Sequence, residues 1–210
     1  MIPIVYSIKA VERQYSTTAF VNLRPGHWYK TGNTTTLAFG SKRIDKVIDV
    51  NPTTVGCIRP SVFVLFDILN IALFDIWIAN EDRNANNANL MYDIEQGRLV
   101  SIDYGCIFNT AMYDYPMSQL TSTDTILASE LFHHIQNGQP VEATVSKVID
   151  AFLRNVNRCR ATADIIMQEL PNQWGVSANH VQTKLNQLTD NNWCKSALTI
   201  FKEYLSENIS

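Results

Sequence analysis

Residues 74–92 read FDIWIANEDRNANNANLMY, and they place the most polar loop of the chain directly after its most apolar segment. Within this stretch, residues 80–89 (NEDRNANNAN) hold five asparagines and no apolar side chain larger than alanine. The preceding residues 61–79, SVFVLFDILNIALFDIWIA, are apolar on nearly all sides, which is typical of a helix buried in a protein core. The question is what a loop positioned by such a helix would hold.

The apolar segment also has about the length of a transmembrane helix. It contains Asp67, Asn70 and Asp75, however, and no cluster of Lys or Arg flanks it. One Asp near the centre of a bilayer costs about 2.5–3.5 kcal/mol on insertion scales. We therefore expect a core helix and no membrane partner, and we see no signal-peptide pattern in the first residues, MIPIVYSIKAVERQ. These features predict a cytoplasmic protein.

The composition is that of an ordinary globular protein, with 210 residues, 46% of them hydrophobic and 18% charged. The formal net charge of −3 disfavours direct binding of nucleic acid, which normally requires a basic surplus. The four cysteines are far apart and form no C-x-x-C pair, so the spacing argues against a zinc site.

The pattern along the chain predicts an α+β protein in two parts. Residues 1–45 carry short β-rich runs and turns, and the mixed stretch 39–50 is compatible with a short helix. Residues 46–210 contain the buried helix, which starts near Ser61, and then the polar loop. A β-hairpin over 89–105 follows, and amphipathic helices are predicted from about 124 onward, the first of them over 124–138.

Three interpretations of the polar loop are open. Alternate oxygen ligands would suit a Ca²⁺ loop, but Ala85 and Met91 stand where an EF-hand requires Gly and Glu. An Asn-rich turn is also common for purely structural reasons, because Asn hydrogen-bonds its own backbone. The third interpretation is a phosphotransfer loop. Asp82 is followed five residues later by Asn87, and Asp103 stands after the hairpin, two residues before a glycine.

These motifs resemble a known family. FDIWIANEDRNANNANLMYD and RLVSIDYGCIF are similar to the catalytic segment of HipA-like kinases and, more distantly, of type II phosphatidylinositol 4-kinases. The resemblance extends over residues 39–205 and implies a protein-kinase-like fold with a small β-rich N-terminal part and a mainly helical C-lobe. It implies that Asp82 is the catalytic base and that Asn87 and Asp103 hold Mg²⁺ against ATP. By the same resemblance Asn80 would brace the loop, and we expect Arg83 to organise it through an ion pair.

The chain departs from the family pattern before residue 39. A kinase N-lobe needs several strands, a glycine-rich loop and a lysine on the phosphates. Here the glycines are dispersed, and Lys30 in GHWYKTGN is the candidate for nucleotide binding. The predicted function is Mg·ATP-dependent phosphoryl transfer to a hydroxyl of a protein substrate. The alternative is a pseudokinase, or half of a split kinase whose partner chain supplies an N-lobe, acting as an interaction module in a toxin–antitoxin or defence context.

Overall fold

The computed structural model describes residues 4–7, 37–40, 44–112, 114–169 and 177–209, and these divide into two compact units. The first unit spans Met1–Ile44 and Glu169–Val176. Its described strands, β1 (Ile4–Ser7) and β2 (Leu37–Gly40), pair antiparallel with Ile4 opposite Gly40. The assignment of residues 1–45 as a reduced N-lobe stays a prediction. The second unit, Asp45–Gln168 with Ser177–Ser210, contains the polar loop.

The second unit carries a three-stranded antiparallel sheet in the order β3-β4-β5. Its strands are β3 (Val47–Asp49), β4 (Leu90–Asp93) and β5 (Arg98–Ser101). The short helix expected over 39–50 is therefore wrong, because residues 39–40 belong to β2 and Val47–Asp49 form β3. The β-branched pair Val47 and Ile48 finds hydrogen-bonding partners in β4, more than forty residues away in sequence, and local sequence does not reveal such pairing.

The hairpin between β4 and β5 confirms the sequence prediction and has a clear local cause. The Asp93 carboxylate accepts hydrogen bonds from the backbone N–H groups of Glu95 and Gln96, each at 2.9 Å. Gly97 adopts a left-handed conformation with φ of 62°, which a residue without Cβ adopts at no steric cost. These two features close the turn and set the register that pairs Leu90 with Ser101.

The apolar segment forms helix α1 (Val62–Ile78), as predicted. Ser61 caps its first turn, since its side chain accepts a hydrogen bond from the Val64 N–H. Most of its side chains are buried in the core, including those of Asp67 and Asp75. Asp67 accepts two hydrogen bonds from the Arg98 guanidinium and one from the Leu99 N–H, and this arrangement fixes β5 against the helix.

The rest of the unit is helical, so the α+β class is confirmed. A short helical segment, α2 (Ile107–Ala111), follows the hairpin, and α3 covers Glu130–Gln136. The helix expected over 124–138 is thus shorter, because Thr121 and Thr125 cap two short turns and Ser129 then caps α3 itself. The long helices are α4 (Val141–Glu169), α5 (Ala178–Thr189) and α6 (Asn191–Asn208).

Helix α1 is held in place by the C-terminal helices. The Trp77 indole N–H donates to the Leu188 carbonyl at 2.7 Å, and the Trp193 indole N–H donates to the Trp77 carbonyl at 2.8 Å. Buried indole groups with hydrogen-bond partners anchor a helix more specifically than apolar contacts alone. None of the helices that the structure describes combines the length and the apolarity needed to cross a membrane.

Candidate active site

The polar loop starts where α1 ends, and Asp75 in the last turn of the helix holds it. Ala79 ends the helix in a left-handed conformation. The Asn80 side chain then donates to one Asp75 carboxylate oxygen at 2.9 Å, and the Arg83 Nε donates to the other at 2.8 Å. Asn80 therefore braces the loop, and the expected ion pair of Arg83 is present with Asp75 as its partner.

Arg83 connects three parts of the site while its side chain is completely buried. Its guanidinium donates to the backbone carbonyls of Ala88 and Asn89 in the loop and of Ile102 at the end of the hairpin. It also lies 4.9 Å from the centre of the Tyr104 ring. One planar cation thus cross-links the helix, the loop and the segment that precedes Asp103, which is a role suited to the fixed fork of arginine.

Asp82 lies between two asparagines of the same loop. The Asn87 side-chain nitrogen donates to Asp82 Oδ1 at 3.0 Å, and that of Asn89 donates to Asp82 Oδ2 at 2.6 Å. The contact with Asn87 brings two of the sequence-predicted residues together. The contact with Asn89 was not predicted, because the five-residue spacing selected Asn87 alone.

The hairpin returns the chain so that Asp103 follows directly on a residue bonded to the loop. The Ile102 N–H donates to the Asn89 carbonyl at 3.0 Å, and Asp103 comes next. Asp103 is exposed and has a φ of 54°, and its carboxylate accepts from the Gly105 N–H at 3.1 Å. The charges of Asp82 and Asp103 both act on Cys106, where they add to burial in raising the pKa of the thiol. Both carboxylates therefore lie close enough to Cys106 for their charges to affect its thiol.

The comparison with known families agrees with this geometry. A model of the HipA-like kinase family matches residues 14–203 of the chain. The chain belongs to the HipA-like kinases. Neither the curated proteins nor the solved structures contain a match to this sequence.

In this HipA-like kinase, a strained turn follows the Asp103 motif. Sequence analysis did not identify this turn. Phe108, Asn109 and Thr110 all have left-handed backbone angles, which cost roughly 1–2 kcal/mol per residue. The Glu81 carboxylate accepts from the side chains of Asn109 and Thr110, and the Asn109 N–H donates to the Ala79 carbonyl. These contacts hold the strained turn against the polar loop.

The segment after this turn is attached to α5. Lys184 is buried and donates to the Tyr115 carbonyl, and its ammonium lies 5.5 Å from the centre of the Phe108 ring. Burial lowers the pKa of Lys184, opposed by the charge of Asp114. The Gln187 side chain pairs with both backbone groups of Met117. Positions 184 and 187 lie on one face of the helix, which therefore sets the path of the chain beyond the site.

A cavity of about 570 Å³ opens beside the loop. Its lining includes Asn87 and Asn89 of the loop, Asp49 at the end of β3, and Asn51 just after it. Its apolar lining includes Val50, Val55, Leu90, Ile102, Ile126 and Leu131. Polar and apolar groups share the lining about equally, and the volume of the cavity lies in the range of small-molecule sites.

The predicted ligand residues fit Mg²⁺ in chemical type. Mg²⁺ prefers hard oxygen ligands and usually takes only one or two carboxylates from the protein, with the rest from phosphate and water. Asp103 offers an exposed carboxylate, and the loop offers amide oxygens. Among the described residues, no cluster of three or more His, Cys, Asp or Glu side chains could hold a metal by itself. The roles of Asp82, Asn87 and Asp103 stay predictions, and Lys30 lies outside the described residues.

The buried Asp75 predicts a measurable pH dependence of stability. Burial raises its pKa from 3.8 to about 6, against the opposing effect of Arg83. A carboxyl group with a raised folded-state pKa stabilises the fold below its unfolded pKa and loses that contribution as pH rises through the folded pKa. We therefore expect the wild type to lose stability relative to Asp75→Asn between pH 4 and pH 6, by at most about 1.4 kcal/mol per pH unit.

Urea denaturation of both proteins at intervals from pH 4 to pH 8 checks this expectation. Toward pH 8, well above the folded-state pKa of about 6, the two stability curves should run parallel, because Asp75 is then ionised in both states. Stability curves that run parallel from pH 4 to pH 8 would contradict the raised pKa of Asp75.

Proposed function

We propose that this HipA-like kinase transfers the γ-phosphoryl group of Mg·ATP to a serine or threonine hydroxyl of a protein substrate. The observation that carries the proposal is the cross-link through Arg83. It ties the loop that presents Asp82 to the hairpin end that presents Asp103. Phosphoryl transfer depends mainly on positioning and on electrostatic stabilisation, so a rigid connection between these carboxylates is what the reaction needs.

Each residue has a defined task in this proposal. Asp82 receives the acceptor hydroxyl and takes its proton, and the amide groups of Asn87 and Asn89 fix the orientation of its carboxylate. Asp103 supplies the carboxylate for the cation. Mg²⁺, when bound, neutralises charge on the phosphate oxygens. The cavity beside Asn87 and Asn89 would take the nucleoside, with its apolar lining against the base.

Thermal unfolding with and without Mg·ATP tests the proposal. Ligand at 100 times its Kd stabilises a protein by about 2.7 kcal/mol. For a domain of this size we expect the midpoint to rise by about 5–10 °C. The rise should disappear in Asp103→Ala and persist in Asp150→Ala, a matched control because Asp150 lies exposed on α4.

The two outcomes separate an enzyme from a binding module. A rise that depends on Asp103 would support a nucleotide site formed by this chain. Absence of any rise in the wild type would contradict the proposal and favour a pseudokinase, or a split kinase that needs a partner chain.

A further inference from the structure

The two sequence neighbours of Asp82 each bind the chain on one side of Asp103. Arg83, which follows Asp82, donates to the Ile102 carbonyl directly before Asp103. Glu81, which precedes Asp82, accepts hydrogen bonds from the left-handed turn that comes after Asp103. The segment that carries Asp103 is therefore attached to the polar loop on both sides of that residue.

Glu81 uses both of its carboxylate oxygens to hold the turn. Oε1 accepts from the Asn109 side-chain nitrogen at 2.9 Å, and Oε2 accepts from the Thr110 hydroxyl at 2.5 Å. The Asn109 backbone N–H donates to the Ala79 carbonyl at 3.0 Å, so the turn also binds the backbone of the loop. Hydrogen bonds to an ionised carboxylate are stronger than those between neutral groups. Glu81 therefore contributes two strong bonds to the attachment of the turn.

The backbone from Asp103 to the turn is strained, and the contacts around it impose the strain. Asp103 has a φ of 54°, and residues 108–110 have φ values between 51° and 61°. Left-handed angles are unfavourable for residues with a Cβ and persist only where surrounding contacts enforce them. The Asp103 carboxylate accepts from the Gly105 N–H, so its orientation depends on the backbone that follows it. Loss of the Glu81 contacts would let the turn relax and would free this backbone on its C-terminal side.

We propose that Glu81 is a positioning residue, which fixes the backbone after Asp103 and thereby holds the Asp103 carboxylate in the orientation that binds the cation. The proposal rests on the proposed kinase function and adds a residue to it, since the roles given there to the loop and to Asp103 are unchanged. Arg83 fixes the chain before Asp103 and Glu81 fixes the chain after it, so neither side chain replaces the other. Because removal of Glu81 also relieves strain, the cation affinity should fall more than the stability of the fold.

Binding of Mn²⁺ to the full chain at saturating ADP, measured by electron paramagnetic resonance, tests the proposal without measuring catalysis. Glu81→Ala removes both acceptors of the turn. Thr110→Val removes one donor and keeps the shape of the side chain and every charge, and Thr110→Ser, which retains the hydroxyl, is its matched control. Glu95→Ala is the control for Glu81→Ala, because it removes an equal charge from a side chain that is 58% exposed.

We expect Glu81→Ala to weaken Mn²⁺ binding about tenfold or more and Thr110→Val about threefold, and the two controls to change it by less than about twofold, in line with the loss of groups that orient a metal ligand. The midpoint of thermal unfolding should change little in any variant. Hydrogen exchange at the Asn109 amide, which is bonded to the Ala79 carbonyl, should become faster in Glu81→Ala and Thr110→Val, because the turn is released.

Two results would overturn the proposal and leave the proposed function standing. In the first, Glu81→Ala exchanges faster at Asn109 but binds Mn²⁺ as the wild type does, so that release of the turn has no effect on the cation. In the second, the affinity falls in Glu81→Ala but not in Thr110→Val, so that Glu81 acts through its charge alone. If Glu81→Ala does not fold, the comparison of Thr110→Val with Thr110→Ser decides the question by itself. A wild type without ADP-dependent Mn²⁺ binding would overturn both the proposal and the proposed function.

Discussion

Replacing Arg83 with alanine is expected to lower the free energy of unfolding by about 3–5 kcal/mol, because one partner of a buried ion pair is removed. The variant leaves Asp75 buried in the core without its cation. It also leaves the carbonyls of Ala88, Asn89 and Ile102 without their side-chain donor. The hydrogen bonds from Asn80 to Asp75 and from the Ile102 N–H to the Asn89 carbonyl remain, but the second Asp75 oxygen loses its donor, and a buried polar atom without a partner carries a desolvation penalty.

Urea denaturation measures the loss, and Arg98→Ala is the matched control. Arg98 also pairs with a buried aspartate of α1, but its side chain is 44% exposed. After the control substitution, Asp67 keeps the hydrogen bond from the Leu99 N–H, and water can reach the vacated position. The control should therefore lose less than half as much stability. Equal losses in the two variants would contradict the central role of Arg83.

The elements predicted correctly from sequence are those set by local signals. Ser61 marks the start of α1, and the apolar run that follows is long enough only for a helix buried in the core. The hairpin is specified by Asp93 and Gly97 within its own turn. The ion pair of Arg83 was also predicted, although its partner Asp75 and the backbone carbonyls that it contacts were identified only in the fold.

The features that sequence analysis missed depend on contacts between distant segments. Strand β3 exists because β4 offers it an edge, and nothing in residues 47–49 alone distinguishes it from a helical turn. The left-handed turn at Phe108 would be unfavourable in isolation and is held by Glu81 through Asn109 and Thr110. The one local signal there was Asn109, since asparagine tolerates left-handed angles better than other residues with a Cβ.

Asn89 shows a different kind of limit. A spacing rule selects one residue, and it selected Asn87 because that position lies five residues after Asp82. The fold shows that Asn89 contacts Asp82 as well, and its carbonyl accepts from the Ile102 N–H at the end of the hairpin. A spacing rule alone therefore does not reveal which asparagines of this loop contact Asp82.

The largest effect on activity is expected from Asp82→Asn, which should lower kcat by about 10²–10⁴-fold, the usual contribution of a general base. Asparagine has the same shape, and rotation of one neighbouring amide would let it keep hydrogen bonds to both Asn87 and Asn89. The fold and the stabilisation by Mg·ATP should therefore be preserved. Transfer of labelled γ-phosphate to protein acceptors, measured beside thermal unfolding with Mg·ATP, separates the two effects.

The size of the loss in kcat distinguishes two roles of Asp82. The transition state of phosphoryl transfer is loose and requires little proton removal before the bond to phosphorus forms. If Asp82 mainly orients the acceptor, the substituted asparagine would retain part of that function through its amide oxygen, and the loss should lie near the lower end of the range. If proton removal limits the rate, the loss should lie near the upper end and shrink as pH rises. An undiminished kcat would exclude Asp82 from both roles, and the two asparagines that hold it would then serve the loop alone.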